Sequence, residues 1–175
     1  MTKAISKERK EILGFLIRLE REKLKWTKNQ MTLNSHGENV CSVSTLYRIE
    51  KGTAIQRDEI YFDLIGQFNR TYNENNKLDK IIEKMNKKFM HYFETLETEE
   101  AHSLLTVAKF FSKNQNFYYH QIFTGYLDML LVNLNQKKLN AEEYHYYQEM
   151  MKFMPEPYNV LLLHLCFCHA HNFIQ

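Results

Sequence analysis

The chain is predicted to be all-α, and three features of its 175 residues carry that prediction. It holds only five Gly and two Pro, too few for the many turns of a sandwich or barrel. Lys, Glu, Leu, Asn and Tyr are plentiful, a balance that suits helices. Between clusters of turn formers, apolar residues recur at three- and four-residue spacings, the period of one face of a helix. With 44% hydrophobic residues, the chain can bury a core as one large domain or two small ones.

Ser6 precedes the first periodic segment, residues 7–25, in which Ile12, Leu13, Phe15, Leu16, Leu19 and Leu24 form the apolar side. Lys10, Arg18, Arg21 and Lys25 lie opposite. Thr27 caps a second, shorter helix over residues 28–34, with Met31 as its core contact. Residues 34–39, Asn-Ser-His-Gly-Glu-Asn, are turn formers, and Gly37 is the position expected to take positive φ. A third helix follows, capped by Ser42 and ended by Gly52. Leu46 and Ile49 sit three apart on its inner side, while Val43, Ser44, Tyr47 and Arg48 can reach a base edge or a phosphate. A fourth helix over residues 59–69 buries Ile60, Leu64, Ile65 and Phe68.

Asn-rich residues 70–76 form the expected linker between a first domain, residues 1–69, and a second, residues 77–175. In the second, helices are expected over residues 76–96, from 98 through Phe111, over 117–134, over 140–154 and over 158–174. Asn140-Ala141-Glu142-Glu143 is a capping-box sequence, and Pro155 and Pro157 punctuate before the last helix. Antiparallel helix pairs return every 35 to 40 residues or so, the spacing of helical-hairpin repeats.

Basic charge is concentrated at the N-terminal end. Residues 1–70 hold 13 Lys/Arg against 9 Asp/Glu, a balance of +4, and residues 71–175 hold 10 against 12, a balance of −2. Three cysteines, Cys41, Cys166 and Cys168, are an odd number with no helical bridge available between the last two, which fits a reducing cytoplasm. The longest apolar run, residues 160–168, is too short to span a bilayer, so no membrane partner is expected.

Four short helices with a polar turn between the second and third make a helix-turn-helix unit. Leu13-Gly14-x-x-Ile17-Arg18-x-x-Arg21-Glu22, Thr27-Lys28-x-Gln30-Met31 and Ser44-Thr45-Leu46-Tyr47-Arg48-Ile49-Glu50-Lys51-Gly52 together resemble the Cro and lambda-repressor (XRE) type of helix-turn-helix regulator over residues 9–69. The resemblance implies that double-stranded DNA is contacted by Lys28 and Gln30 from the second helix and by Val43, Ser44, Thr45, Tyr47 and Lys51 from the third. It implies a fold-supporting role for Leu46, Arg48, Ile49 and Glu50. This sequence departs from the pattern by about four extra residues in the turn, which becomes a loop around Gly37. It also has Val43 where the family often has an amide, so Val43 can meet a thymine methyl but not adenine's paired donor and acceptor.

Joined to such a domain, the helical second half resembles tetratricopeptide (TPR-like) stacking and the Rgg/PlcR class of peptide-responsive regulators. That resemblance implies a homodimer with a peptide or small-ligand groove, for which Asn114, Tyr118, Gln121 and Tyr126 are candidates. Arrays in that class are longer, which implies a shortened or truncated one here. The expected function is sequence-specific transcriptional regulation, and the alternative is a protein-interaction module such as an antitoxin or adaptor. His164, Cys168 and His171 fall on one helical face with no evident fourth ligand, so no metal and no cofactor are expected. No Gly-rich phosphate loop, His-Glu-x-x-His or nucleophile elbow occurs, so the chain is not expected to be an enzyme.

Overall fold

The computed structural model describes residues 4–171, which form nine α-helices and no strand: α1 (Lys7–Lys23), α2 (Lys28–Met31), α3 (Val43–Glu50), α4 (Asp58–Gly66), α5 (Asn76–Thr95), α6 (Thr98–Phe111), α7 (Phe117–Asn133), α8 (Ala141–Met151) and α9 (Tyr158–His171). The fold is all-α. The last three residues of the helix expected over 158–174 lie outside the described residues. No helix among those described is long and apolar enough to cross a membrane.

The chain divides into two compact units that change over between Glu74 and Asn75, and the first also takes in Gln115–Tyr118 and Lys152–Met154. A linear domain boundary does not foresee these two added pieces. Backbone bonds attach the first of them: Thr71 N–H donates to Gln115 O at 3.1 Å, and Phe117 N–H to Thr71 O at 2.7 Å. Ring stacking adds to this, with Phe68 between Trp26 and Phe117 at centroid distances of 5.9 and 5.4 Å, and Phe15 on Phe153 at 4.6 Å.

In the first unit, Leu13, Leu16 and Ile17 of α1 pack with Leu46 and Ile49 of α3 and with Leu64 and Ile65 of α4 as fully buried core residues. Serine and threonine caps set the helix starts: Ser6 accepts from Arg9 N–H, Thr27 from Gln30 N–H and Ser42 from Thr45 N–H. The helix α2 ends at Met31, three residues earlier than periodicity suggests, because the backbone from Thr32 turns into an ordered loop. Leu33 and Asn39 form an antiparallel bridge, Val40 N–H donates to Thr32 O, and the Asn34 side-chain oxygen accepts from both His36 and Glu38 N–H groups. Gly37, with φ of +78°, makes the tip. The extra residues in the turn are therefore folded on themselves.

The second unit packs α5 with α6 and α8 with α9. Leu96, at φ of +57°, reverses the chain between the first pair. The capping box at α8 is present: Asn140 N–H donates to Glu143 Oε2, and Glu143 N–H to Asn140 Oδ1. In its interior, Asp128 of α7 accepts from the Tyr147 hydroxyl at 2.5 Å and from the Lys137 ammonium at 2.6 Å.

Candidate nucleic-acid interface

The site begins with how α3 is held. Gly14 lets α1 approach so closely that a Cβ there would stand 2.0 Å from the Ile49 carbonyl oxygen, so no larger residue fits this crossing. At the same crossing, Arg21 of α1 donates from Nε and Nη2 to the two carboxylate oxygens of Glu50 at 2.5 and 3.1 Å, and from Nη1 to Trp26 O at 2.9 Å. Both side chains are almost fully buried. Gly52 ends the helix at φ of +78°, where a Cβ would meet the Phe15 ring at 2.8 Å. Three contacts from α1 thus fix both the position and the rotation of α3.

The sequence candidates divide around this frame. Leu46, Ile49 and Glu50 are buried in it. Arg48, grouped with them by the sequence reading, stands exposed and is corrected here: the helix turns its side chain outward, and Arg21 supplies the cation that Glu50 binds. On the outer face, Val43, Ser44, Tyr47, Arg48 and Lys51 are exposed, and Thr45 is half-buried. The Ser44 and Thr45 hydroxyls each lie 2.9 Å from Ser42 Oγ, a small hydroxyl cluster at the first turn. Two ammonium groups flank the Tyr47 ring, Lys28 Nζ at 5.6 Å and Lys51 Nζ at 5.8 Å from its centroid.

Lys28 has a second tie, lying 3.8 Å from Glu50 Oε2, so part of its charge is offset from within the unit. Gln30 completes the α2 capping box, its Oε1 accepting from Thr27 N–H at 2.8 Å, which leaves its amide hydrogens as the group able to reach outward. Beside it, Trp26, Gln30, Leu33, Asn34, Ser35 and Gln67 line a cavity of about 310 Å³. Cys41 is half-buried next to α3, and burial pushes its thiol up against the opposing pull of the Leu46 backbone. This face offers two ammonium groups, Lys28 and Lys51, beside an aromatic ring, the exposed guanidinium of Arg48, and hydroxyls at one end, a donor set suited to phosphate oxygens and base edges.

The proposed ligand residues are mostly buried and engaged within their own units. Tyr118, Gln121 and Tyr126 are buried, and Tyr118 belongs to the first unit, where the Arg9 guanidinium covers its ring at 3.9 Å. Gln121 accepts from the Tyr146 hydroxyl within the second unit, and Asn114 is half-buried near the end of α6. The dense aromatics of α7 are core, since this helix is apolar around most of its circumference and packs accordingly.

Of the trio considered for metal, His164 and Cys168 meet, with Nε2 and Sγ 3.2 Å apart and both near Asn133 Oδ1, whereas His171 is exposed. No group of three His, Cys, Asp or Glu side chains gathers among the described residues. No family model matches the chain, and neither a curated protein nor a solved structure does.

Proposed function

We propose that the chain is a sequence-specific DNA-binding regulator of the helix-turn-helix type, acting as a homodimer, with α3 as the helix that enters the major groove. The observation that supports this best is the outer face of α3, where Lys28 and Lys51 flank exposed Tyr47 and Arg48 is also exposed, while the opposite face is locked to α1. A helix held this firmly can present side chains to a rigid duplex without losing its own order on binding. Phosphates would take Lys28, Arg48 and Lys51, and base edges would meet Ser44, Thr45 and Val43. Two copies would set their α3 helices in successive major grooves, about 34 to 36 Å apart.

Selection from a random duplex library at moderate salt tests the reading, and an enriched half-site with two-fold repetition is the expected result. Lys51→Ala and Arg48→Ala should weaken every sequence alike and each lower the salt slope by roughly one. Ser44→Ala should change base preference instead. If the library yields no enriched sequence and the wild-type chain binds duplex with a flat salt dependence, the reading is wrong.

A further inference from the structure

The last helix, α9, carries no Asp, Glu, Lys or Arg from Tyr158 to His171 and is apolar on all sides, the signature of a helix with both faces covered. Among the described residues its burial is one-sided. Leu161, Leu162, Leu165, Cys166 and His169 are buried, whereas Val160, Leu163 and Phe167 are 45%, 56% and 68% exposed and Ala170 lies open on the same side. On the flank, Phe93 of α5, 49% exposed, sets its ring 4.5 Å from that of His164 and widens the apolar surface.

We propose that this outward face of α9 is the contact through which two copies of the chain pair, antiparallel, about a two-fold axis. Val160, Leu163, Phe167 and Ala170 are spaced three, four and three, the a and d positions of a heptad seam by which one helix packs along another. That spacing reads the same in both directions. An antiparallel copy therefore sets Leu163 against the partner copy's Phe167 and Val160 against its Ala170, a larger residue facing a smaller one at each end. A self-pairing surface must also tolerate its own charge, and with no Asp, Glu, Lys or Arg on α9 the seam sets no carboxylate, ammonium or guanidinium against its own kind across the axis, the exposed His171 lying at its end. A DNA backbone or a charged peptide would gain nothing from it.

The four exposed apolar side chains Val160, Leu163, Phe167 and Phe93 leave open on the order of 400 Å², if a whole aromatic side chain contributes roughly 150–250 Å². That is about half of the ~800 Å² per partner of a standard interface, so the dimer should dissociate on dilution. This inference gives a surface to the homodimer in the proposed function, and its test does not involve DNA.

Sedimentation equilibrium should show the 21.2 kDa chain passing from monomer to dimer with rising concentration. Phe167→Glu and Leu163→Lys, each checked for unchanged helical circular dichroism, should be monomeric alone and should form a one-to-one heterodimer when mixed, because the two new charges face each other across the axis. Should either charge disturb folding, the milder Leu163→Ala/Phe167→Ala variant should still raise the dissociation constant at least tenfold. A wild-type chain that stays monomeric at all accessible concentrations, or a dimer that all of these substitutions leave unchanged, overturns the proposal. Loss of DNA selection with the dimer intact would instead count against the DNA-binding reading alone.

Discussion

Replacing Arg21 by Met removes the cation from a carboxylate that is 3% exposed. The variant Arg21→Met leaves Glu50 with Lys28, at 3.8 Å and partly in solvent, as its remaining neutraliser. Breaking a buried pair from one side costs about 3–5 kcal/mol, because the remaining charge stays desolvated. Glu50→Met should cost less than Arg21→Met, since the abandoned guanidinium keeps Trp26 O at 2.9 Å and Glu22 at 3.4 Å. The double variant buries two apolar side chains where the pair stood and should return to within about 1 kcal/mol of the parent. Trp26 is the only tryptophan, its carbonyl binds Arg21, and its ring stacks on Phe68, so urea unfolding followed by its fluorescence reports on the first unit. If Arg21→Met costs less than about 1 kcal/mol, or the double variant is no better than the worse single one, the pair is not what ties α3 to α1.

Gly14→Ala forces the α1–α3 crossing apart, and by the same fluorescence it should destabilise the first unit by about 3 kcal/mol or more, the upper end for overpacked sites, because the obstructing atom is backbone. Tyr147→Phe removes a hydrogen bond to a buried carboxylate, so the second unit should lose about 1.5–3 kcal/mol in a thermal melt followed by circular dichroism. Burial works to raise the Asp58 carboxyl, but the Lys10 ammonium and the Ile5 N–H outweigh it and hold the group below its ordinary range. A carboxylate depressed in this way adds stability above its unfolded pKa of about 3.9 and loses it as pH falls through the lower folded value. Asp58→Asn should therefore flatten the acid limb of the Trp26 unfolding curve, and an unchanged limb would count against the Lys10 contact. Burial lowers His164, so its neutral form is favoured by folding; stability complete above about pH 6.5 declines as pH falls through the folded value, and His164→Gln should reduce that decline in thermal melts.

The helices were legible because their signals are local. Ser6, Thr27, Ser42 and Asn140 each announce a start by a side chain that bonds a backbone N–H three residues on, and the structure makes each of those bonds. Gly37 and Gly52 likewise announce positive φ. What could not be read was contact across distance. Arg48 and Arg21 are equally basic in the sequence, and only the rotation of α3 decides that Arg21 faces Glu50 while Arg48 faces out. Gln115–Tyr118 joins the first unit through Thr71 and Phe68, partners some 45 residues away, for which periodicity has no signal. Rows of tyrosine and phenylalanine look alike whether they line a groove or fill a core. Burial places Tyr118 and Tyr126 in the latter.

Lys28 shows why the candidate interface cannot be dissected one cation at a time with equal weight. Its ammonium is shared between the carboxylate of Glu50 and the ring of Tyr47, so it belongs both to the frame that holds α3 and to the face that α3 presents. Lys28→Ala would alter the frame as well as the face, so weaker duplex binding by that variant would not separate the two. Lys51 has no carboxylate neighbour within ion-pair distance among the described residues, and its side chain extends past Tyr47 from the end of the helix. Lys51→Ala therefore separates the two roles: unchanged urea unfolding together with a reduced salt slope assigns Lys51 to the face alone. If Lys51→Ala instead shifts the unfolding midpoint and leaves the salt slope intact, Lys51 serves the fold and the assignment of this face to phosphate is wrong.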